Sequence, residues 1–213
     1  MTELVLPLVV RIERDAPPAR TDALEAAAQA VLFMLTTDVA EWAPAVRAWD
    51  GQRIRKVVRR ARGAAWRRAV DVPGVSVTHA SVELRVYPPV PVDAWPAELA
   101  TLQVGGTQLE DPDPPEPPDP TLPLVLLSPH AEMTTGKAMA QAGHAAQLGW
   151  RASTAPERAG WQAQGFALAV RTASTDAWTW ALELGVPVVH DGGFTEVAPN
   201  TRTAAVVLPW RAR

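Results

Sequence analysis

The second half of the chain carries the clearest alternation of apolar and polar stretches. Residues 124–127 form a short, wholly apolar run, the length of a buried strand. Thr134 or Thr135 is placed to cap a helix reaching about Trp150. Residues 166–170 read as a second strand, and residues 175–184 as a helix closed by Gly185. Residues 186–189 and 203–208 supply a third and a fourth strand. Strand, helix, strand, helix, strand, strand is the order of an α/β sheet with helices on both faces.

The first half repeats this order. At an offset of 112, residues 25–70 match residues 137–182 at fifteen positions without a gap. Eight are alanines, which so Ala-rich a chain matches by chance. The others include Gln29/Gln141, Pro44/Pro156, Gln52/Gln164 and two tryptophan pairs, Trp49/Trp161 and Trp66/Trp178, which chance does not supply readily. With one deletion, Gly74-Val75 meets Gly185-Val186 and His79 meets His190; Leu6-Pro-Leu-Val9 also resembles Leu122-Pro-Leu-Val125. An internal duplication follows, with residues 1–109 and 121–213 as two similar domains. The repeat settles residues 53–60, which have the composition of a basic helix, as a strand, because their partner is a strand. A helix then begins within residues 61–68. The eight bases of residues 53–68, Arg53, Arg55, Arg59 and Arg62 among them, form either a phosphate-tracking surface or a solvated face.

Composition adds limits. Hydrophobic residues at 47% and charged residues at 20% are a globular balance. The absence of cysteine excludes disulfides and thiolate metal sites. The first ten residues read as a strand rather than a signal peptide, and no run approaches the roughly 18 apolar residues of a membrane span. A soluble, cytoplasmic protein is expected. The net charge of -3 argues against a nucleic-acid partner until it is mapped. Residues 110–120 carry five acids and no base, and both flanking halves are close to neutral. Alternating proline and acid make that segment an extended linker, with a proline-rich recognition peptide as the other reading.

Candidate chemistry gathers at two places. The first is Met133-Thr-Thr-Gly-Lys-Ala-Met-Ala-Gln-Ala-Gly-His-Ala-Ala146, where a strand exit, a glycine and a helix start follow one another. A helix N-terminus offers free N–H groups and partial positive charge, a natural anion site. Lys137 adds a full charge there. It is one of only two lysines among 20 basic residues, which hints at a need for a compact ammonium, although a surface lysine explains it too. Lys137, Gln141 and His144 share one helical face; a core histidine remains the other reading of His144. The second place is residues 190–203, after the third strand. Ligands of open α/β sheets bind at such strand ends, and Asp191 and Thr195 are suited to orient a water or a ribose hydroxyl. A plain turn explains Asp-Gly-Gly and Pro-Asn equally.

Together these stretches resemble the type 2 peptidyl-tRNA hydrolases. The similarity lies in Gly136-Lys-x-x-x-Gln-x-x-His-Ala145 after Met133, in Leu184-Gly-Val-Pro-Val188 leading to Asp191-x-Gly-x-Thr195, and in Ala198-Pro-x-Thr-x-Thr203. It covers about residues 122–208. The resemblance implies a mixed four-stranded sheet with flanking helices, so that the chain is expected to be α/β, two similar three-layer α/β/α domains. It implies hydrolysis of the ester between peptide and tRNA, recycling tRNA, with Lys137, His144, Asp191 and Thr195 catalytic and Gly136, Gln141, Thr201 and Thr203 substrate-binding. Lys137 would meet phosphate or oxyanion charge, and Asp191 would orient water with help from Thr195. No metal or cofactor is implied, and tRNA is the implied partner.

Two departures stand out: Phe194 where the family usually has arginine, and Glu196 where it usually has glutamine. The first copy has Glu25 opposite Lys137, Leu32 opposite His144 and His79 or Ala80 opposite Asp191, so it is expected to be silent. Because the family commonly dimerises, the halves are expected to pack as a pseudo-dimer, with a tryptophan-rich contact between them. The competing readings are another ester hydrolase acting on charged tRNA and a catalytically inactive RNA-binding or translation-associated protein of the same fold.

Overall fold

The computed structural model describes residues 2–211. The first half runs β1 (Leu4–Arg11), α1 (Arg20–Leu35), α2 (Ala43–Asp50), β2 (Lys56–Ala61), α3 (Gly63–Asp71), β3 (Val75–His79) and β4 (Val82–Val86). A two-residue β5 (Val90–Pro91) and a short α4 (Ala97–Ala100) precede the connection to the second half. There β6 (Leu124–Leu127), α5 (Thr135–Ala152), α6 (Ala155–Ala163), β7 (Ala169–Thr172), α7 (Thr175–Glu183), β8 (Val188–His190) and β9 (Arg202–Val207) repeat the order element for element.

The sheets repeat it as well. They run β2-β1-β4-β3 and β7-β6-β9-β8, with a parallel pair at one side and antiparallel pairs at the other, and β5 adds to the first. Each is a mixed four-stranded sheet flanked by helices on both faces, as the sequence leads one to expect. Details inside the repeat agree too. Trp49 Nε1 donates to the Arg55 carbonyl and Trp161 Nε1 to the Ala167 carbonyl, each at 2.9 Å, and the four residues are pairwise 112 apart. Ile54 and Phe166, again 112 apart, both hold positive φ, at 50° and 59°. A non-glycine residue adopts that conformation only under a specific demand, and here the indole–carbonyl bond across the turn supplies the same demand twice.

Strand pairing corrects two alignments. The sheet register sets Val77 and Val189 in matching places, so the offset stays at 112 rather than shortening to 111 at the matching Gly-Val letters. Likewise Leu8 faces Val58 as Val125 faces Val170, one residue off the match of Leu6-Pro-Leu with Leu122-Pro-Leu. The sequence pattern also passes over α6 and its counterpart α2, helices of nine and eight residues. Strand β7 starts later than residue 166, since Phe166 belongs to the strained turn instead.

Alternation along the strands sorts side chains into three cores. Leu8 and Val10, with Val125, Leu127, Ala204 and Val206, face inward into one continuous core shared by both halves. Val9 packs outward with Trp66, Ala69 and Leu99, and Leu126 outward with Trp178 and Ala181. The shared core is filled by α1 and α5, whose mutual contact is the most extensive between any two elements. Their small residues permit it: a Cβ at Gly143 would lie 2.7 Å from Val31 Cγ2. Of the expected tryptophan-rich contact between halves, no tryptophan ring pairs with an aromatic ring of the other half among the described residues, although Trp49 and Trp161 both enter the shared core. The aromatic pair between halves is Phe33 set edge-on against Phe166 at 4.9 Å.

Residues 110–120 form no helix or strand and bend at 112–113, and they are tied down at both halves. The Asp111 carboxylate caps α1 by accepting from Thr21 N at 2.7 Å and Thr21 Oγ1 at 2.8 Å. The Glu116 carbonyl accepts from Arg171 Nη2 at 2.7 Å. Among the described residues no helix is long and apolar enough to cross a membrane.

Candidate functional site

A cleft of about 870 Å³ opens where the two halves meet. Lys137, Gln141 and His144 line it from one face of α5, and Asp191 and Thr195 from the loop after β8. The first half contributes Arg53, Arg55 and Lys56, from the approach to β2 and its first residue.

Asp191 is the hub. Its Oδ2 accepts from Lys137 Nζ at 2.6 Å and Gln141 Nε2 at 2.8 Å, and its Oδ1 from the Gly193 N–H at 2.8 Å. Lys137 Nζ also donates to Thr195 Oγ1 at 3.1 Å. Buried Gln141 is fixed from behind, because Thr203 Oγ1 donates to its Oε1 at 2.6 Å. Thr203 reaches it through an irregularity in pairing: Val189 faces Ala204 but His190 faces Arg202, leaving Thr203 as the extra residue of a bulge. Gly193 is required at its place, since it holds φ 74° and a Cβ there would meet Pro199 at 2.5 Å. Sequence, bulge and loop thus converge on one carboxylate orientation.

The residues singled out from sequence fall into groups. Lys137, His144, Asp191, Thr195, Gln141 and Gly136 all border the cleft. Thr201 closes the loop instead, donating to the Ala198 carbonyl at 2.7 Å, while its own carbonyl takes the Asp191 N–H. Thr203 acts behind Gln141. Among the arginines, Arg53 and Arg55 reach the rim, where their guanidinium carbons lie 5.9 and 5.2 Å from the Phe194 ring centre. Arg59 points to the opposite face of its sheet, stacking on Trp95 at 4.3 Å and donating to the carbonyls of Ala100 and Leu102. Arg62 stands exposed at the start of α3. The basic run is therefore split: Arg53 and Arg55 lie before β2, on either side of the positive-φ Ile54, whereas Arg59 lies within the strand, on the face opposite Lys56.

The free N–H groups expected at the start of α5 are already engaged. Thr134 N and Oγ1 both donate to the Glu196 carboxylate at 2.7 Å. Thr135 N donates to Gln108 Oε1 at 3.3 Å, Gly136 N to the Thr107 carbonyl at 3.4 Å and Lys137 N to Thr134 Oγ1 at 3.3 Å. Glu196 is the carboxylate that favours such a terminus, and residues 107–108 come from the connection between halves. Positive charge in the cleft therefore rests on side chains, Lys137, Arg53, Arg55 and Lys56, rather than on bare backbone.

Sequence reasoning passes over a second polar group. Lys56, only 7% exposed, donates to the Ile54 carbonyl at 3.1 Å and Gln147 Oε1 at 2.7 Å, and its Nζ lies 3.2 Å from His144 Nδ1. Its ammonium also sits 4.8 Å from the Trp49 ring centre. The available signal was its rarity: Lys56 and Lys137 are the chain's two lysines, and both line this cleft.

In the first half, the corresponding place is closed. His79 Nε2 pairs with Glu25 at 2.9 Å, and Glu25 also accepts from Val170 N at 3.1 Å and Arg171 Nη1 at 2.8 Å. A two-residue turn, Ala80-Ser81, stands where the second half has the long loop bearing Thr195 and Glu196.

No protein-family model matches this chain, and no curated protein matches it.

Proposed function

We propose that the cleft hydrolyses the ester joining a peptide to the 3′ end of tRNA. The observation that carries this reading is the convergence of Lys137, Asp191 and Thr195 within 2.6–3.1 Å, on the cleft surface, from segments more than fifty residues apart. These are positions that the resemblance to type 2 peptidyl-tRNA hydrolases implies. In this reading a water held by Thr195 Oγ1 and Asp191 attacks the ester carbonyl carbon. A new C–O bond forms, Lys137 meets the charge on the carbonyl oxygen, and the ester C–O bond breaks. The water's proton leaves by way of Asp191 and ends on the 3′ oxygen of the released tRNA. His144 lies two turns further along the same helix face from Lys137, also lining the cleft.

The two departures from the family fit this reading better in three dimensions than in sequence. Phe194 forfeits a cation, but Arg53 and Arg55 of the first half bring two to its ring. Glu196 adds an anion, but its carboxylate is occupied in capping α5. The first half thus supplies cations to a substrate-facing rim rather than a second active centre.

A silent RNA-binding protein of the same fold is the second reading, favoured by the exposed Phe194 ring under two guanidinium groups, an arrangement suited to base stacking. Release of peptide from purified peptidyl-tRNA, measured at two salt concentrations, separates the two. Turnover is expected, weakening as salt rises. Binding of tRNA without release would leave only the second reading; neither binding nor release would remove both.

A further inference from the structure

The polar group around Lys56 is not something the fold requires. The duplication supplies the control. At the offset of 112, Lys56 corresponds to Leu168, His144 to Leu32 and Gln147 to Leu35. Leu168 and Leu32 are buried in the shared core, and Leu35 packs against it. Three leucines therefore do the packing on one side that a lysine, a histidine and a glutamine do on the other. Burying those polar groups carries a desolvation cost that leucines avoid, so the substitution needs a reason outside packing.

The hydrogen bonding shows what that reason is. An ammonium has three N–H groups. Here three acceptors surround it: the Ile54 carbonyl, Gln147 Oε1 and His144 Nδ1. Gln147 is itself oriented, since its Nε2 donates to Asp50 Oδ1, which also pairs with Arg151 at 2.6 Å. The amide oxygen of Gln147 is thereby turned to Lys56. If Lys56 donates to Nδ1, the neutral imidazole carries its proton on Nε2. That nitrogen has no partner among the described residues, and His144 borders the cleft.

We propose that Lys56, supplied by the first half, is a positioning residue that fixes His144 as the Nε2–H tautomer and so presents a hydrogen-bond donor to an oxygen of the bound ligand. The inference rests on the hydrolase reading for the identity of that oxygen, a carbonyl or ribose oxygen at the ester. Its geometric content does not depend on it. The first half is then part of the site and not only a partner to it. This also explains why lysine was kept in a chain that otherwise uses arginine: a planar guanidinium does not fit three convergent acceptors around one atom.

The surroundings of the ring agree. Burial, then the cations of Lys56, Lys137 and Arg151, push the His144 pKa well below its ordinary value, which holds the ring neutral. Burial pushes Lys56 well down too, with Arg151 adding to the effect and Asp50 opposing it; this works against the ammonium, which the Ile54 carbonyl and Gln147 Oε1 favour by accepting from it. From the β8 side the facing acid is Asp191, which Lys137 and Gln141 already hold.

The test is nitrogen NMR of histidine-labelled protein, full-length, with His144→Leu assigning the signal. In the wild type the His144 ring is expected with Nδ1 unprotonated and Nε2 protonated, and without titration near the ordinary histidine value of about 6.5. Lys56→Leu installs the residue of the mirror position; it is expected to fold, to lose the tautomer preference and to raise the pH at which His144 titrates. Lys56→Met, which keeps the apolar stem, serves as the second variant should the first not fold. A wild-type ring protonated on Nδ1 overturns the proposal, as does a tautomer and titration unchanged in a folded variant. With peptidyl-tRNA, the same variant is expected to lose kcat about tenfold or more with KM little changed, toward the lower end of what proton-transfer groups contribute. An inactive wild type would remove the hydrolase reading and leave the tautomer measurement to decide on Lys56.

Discussion

The two halves place an ion pair at the same point of the same fold and reverse its polarity. In the second half a helix lysine, Lys137, meets a strand-end aspartate, Asp191. In the first, a helix glutamate, Glu25, meets a strand-end histidine, His79, and the offset of 112 relates both members. The difference lies in what each pair still has to offer. Lys137 and Asp191 border an open cleft and share Thr195 on a long loop. Glu25 is satisfied on every side by His79, Arg171 and the Val170 N–H, and the tight Ala80-Ser81 turn leaves no loop above it. One pair faces an open cleft; the other is a clasp between halves, because Val170 and Arg171 belong to β7.

The largest effect should come from forcing the two sites to resemble each other. Lys137→Glu, which writes the first half's residue into the second, sets a second carboxylate beside Asp191 and removes a cation from the cleft. Loss of about 10²–10³ in kcat is expected for peptidyl-tRNA, the scale of a deleted oxyanion donor, with the melting temperature moving far less than the rate. Equal turnover in the variant would mean that the second half's pair is a clasp as well.

Next in size is the clasp itself. Glu25→Ala leaves the Arg171 guanidinium and the Val170 N–H without their acceptor in a largely buried place. A loss of about 2–3 kcal/mol is expected by denaturant unfolding, between the values for exposed and fully buried pairs. The same pair sets a pH window. Burial alone would raise the Glu25 pKa, but the bonds from His79, Val170 and Arg171 outweigh it and the pKa is lowered. The hydrogen bond to Glu25 raises that of His79 against the opposing effect of burial. A lowered carboxylate stabilises above its unfolded value and loses that as pH falls through its folded one. A raised histidine stabilises below its unfolded value and loses that as pH rises through its folded one. Stability from the pair is therefore greatest between about pH 4.5 and 6.5, and Glu25→Gln should flatten the profile there.

A third effect concerns the seam. Val31 of α1 and Gly143 of α5 are equivalent by the offset of 112, yet one is large and the other has no side chain. Two identical copies would set like against like at such a crossing; the fused chain has diverged into a knob and its space. Gly143→Ala is expected to cost about 1–3 kcal/mol through overpacking, and Val31→Ala in the same chain to restore part of it.

How much of this was legible in the sequence follows from the range of the interactions. The duplication shows as a match at a fixed offset of 112, the order of strands and helices and the cleft face of α5 rest on local periodicity, and Lys137, Gln141 and His144 needed only the helical repeat to be placed together. Glu196 was legible as a departure but not as a cap, because its partner Thr134 lies 62 residues away. Lys56 was read as one base among eight, since nothing local distinguishes β2's buried face from its exposed one. The free helix terminus was expected for a similar reason: Thr107 and Gln108, which occupy it, lie in a stretch with no pattern.

The smallest effect separates the bases that sequence could not. Arg53 and Arg55 stand at the cleft rim on Phe194, whereas Arg59 is stacked on Trp95 and committed to two carbonyls on the far face. If the first half supplies the cations that Phe194 forfeits, Arg53→Ala and Arg55→Ala should each weaken tRNA binding alike across sequences and lower the slope of log affinity against log salt by about 1. Arg59→Ala should leave that slope alone while reducing stability, because the Ala100 and Leu102 carbonyls lose their donor. The two outcomes oppose each other in two measurements, so general weakening of the fold cannot imitate them. A slope lowered by Arg59→Ala and not by the rim pair would put the nucleic acid on the outer face of the first sheet, away from Lys137 and Asp191. The comparison between halves would then divide binding from chemistry instead of joining them in one cleft.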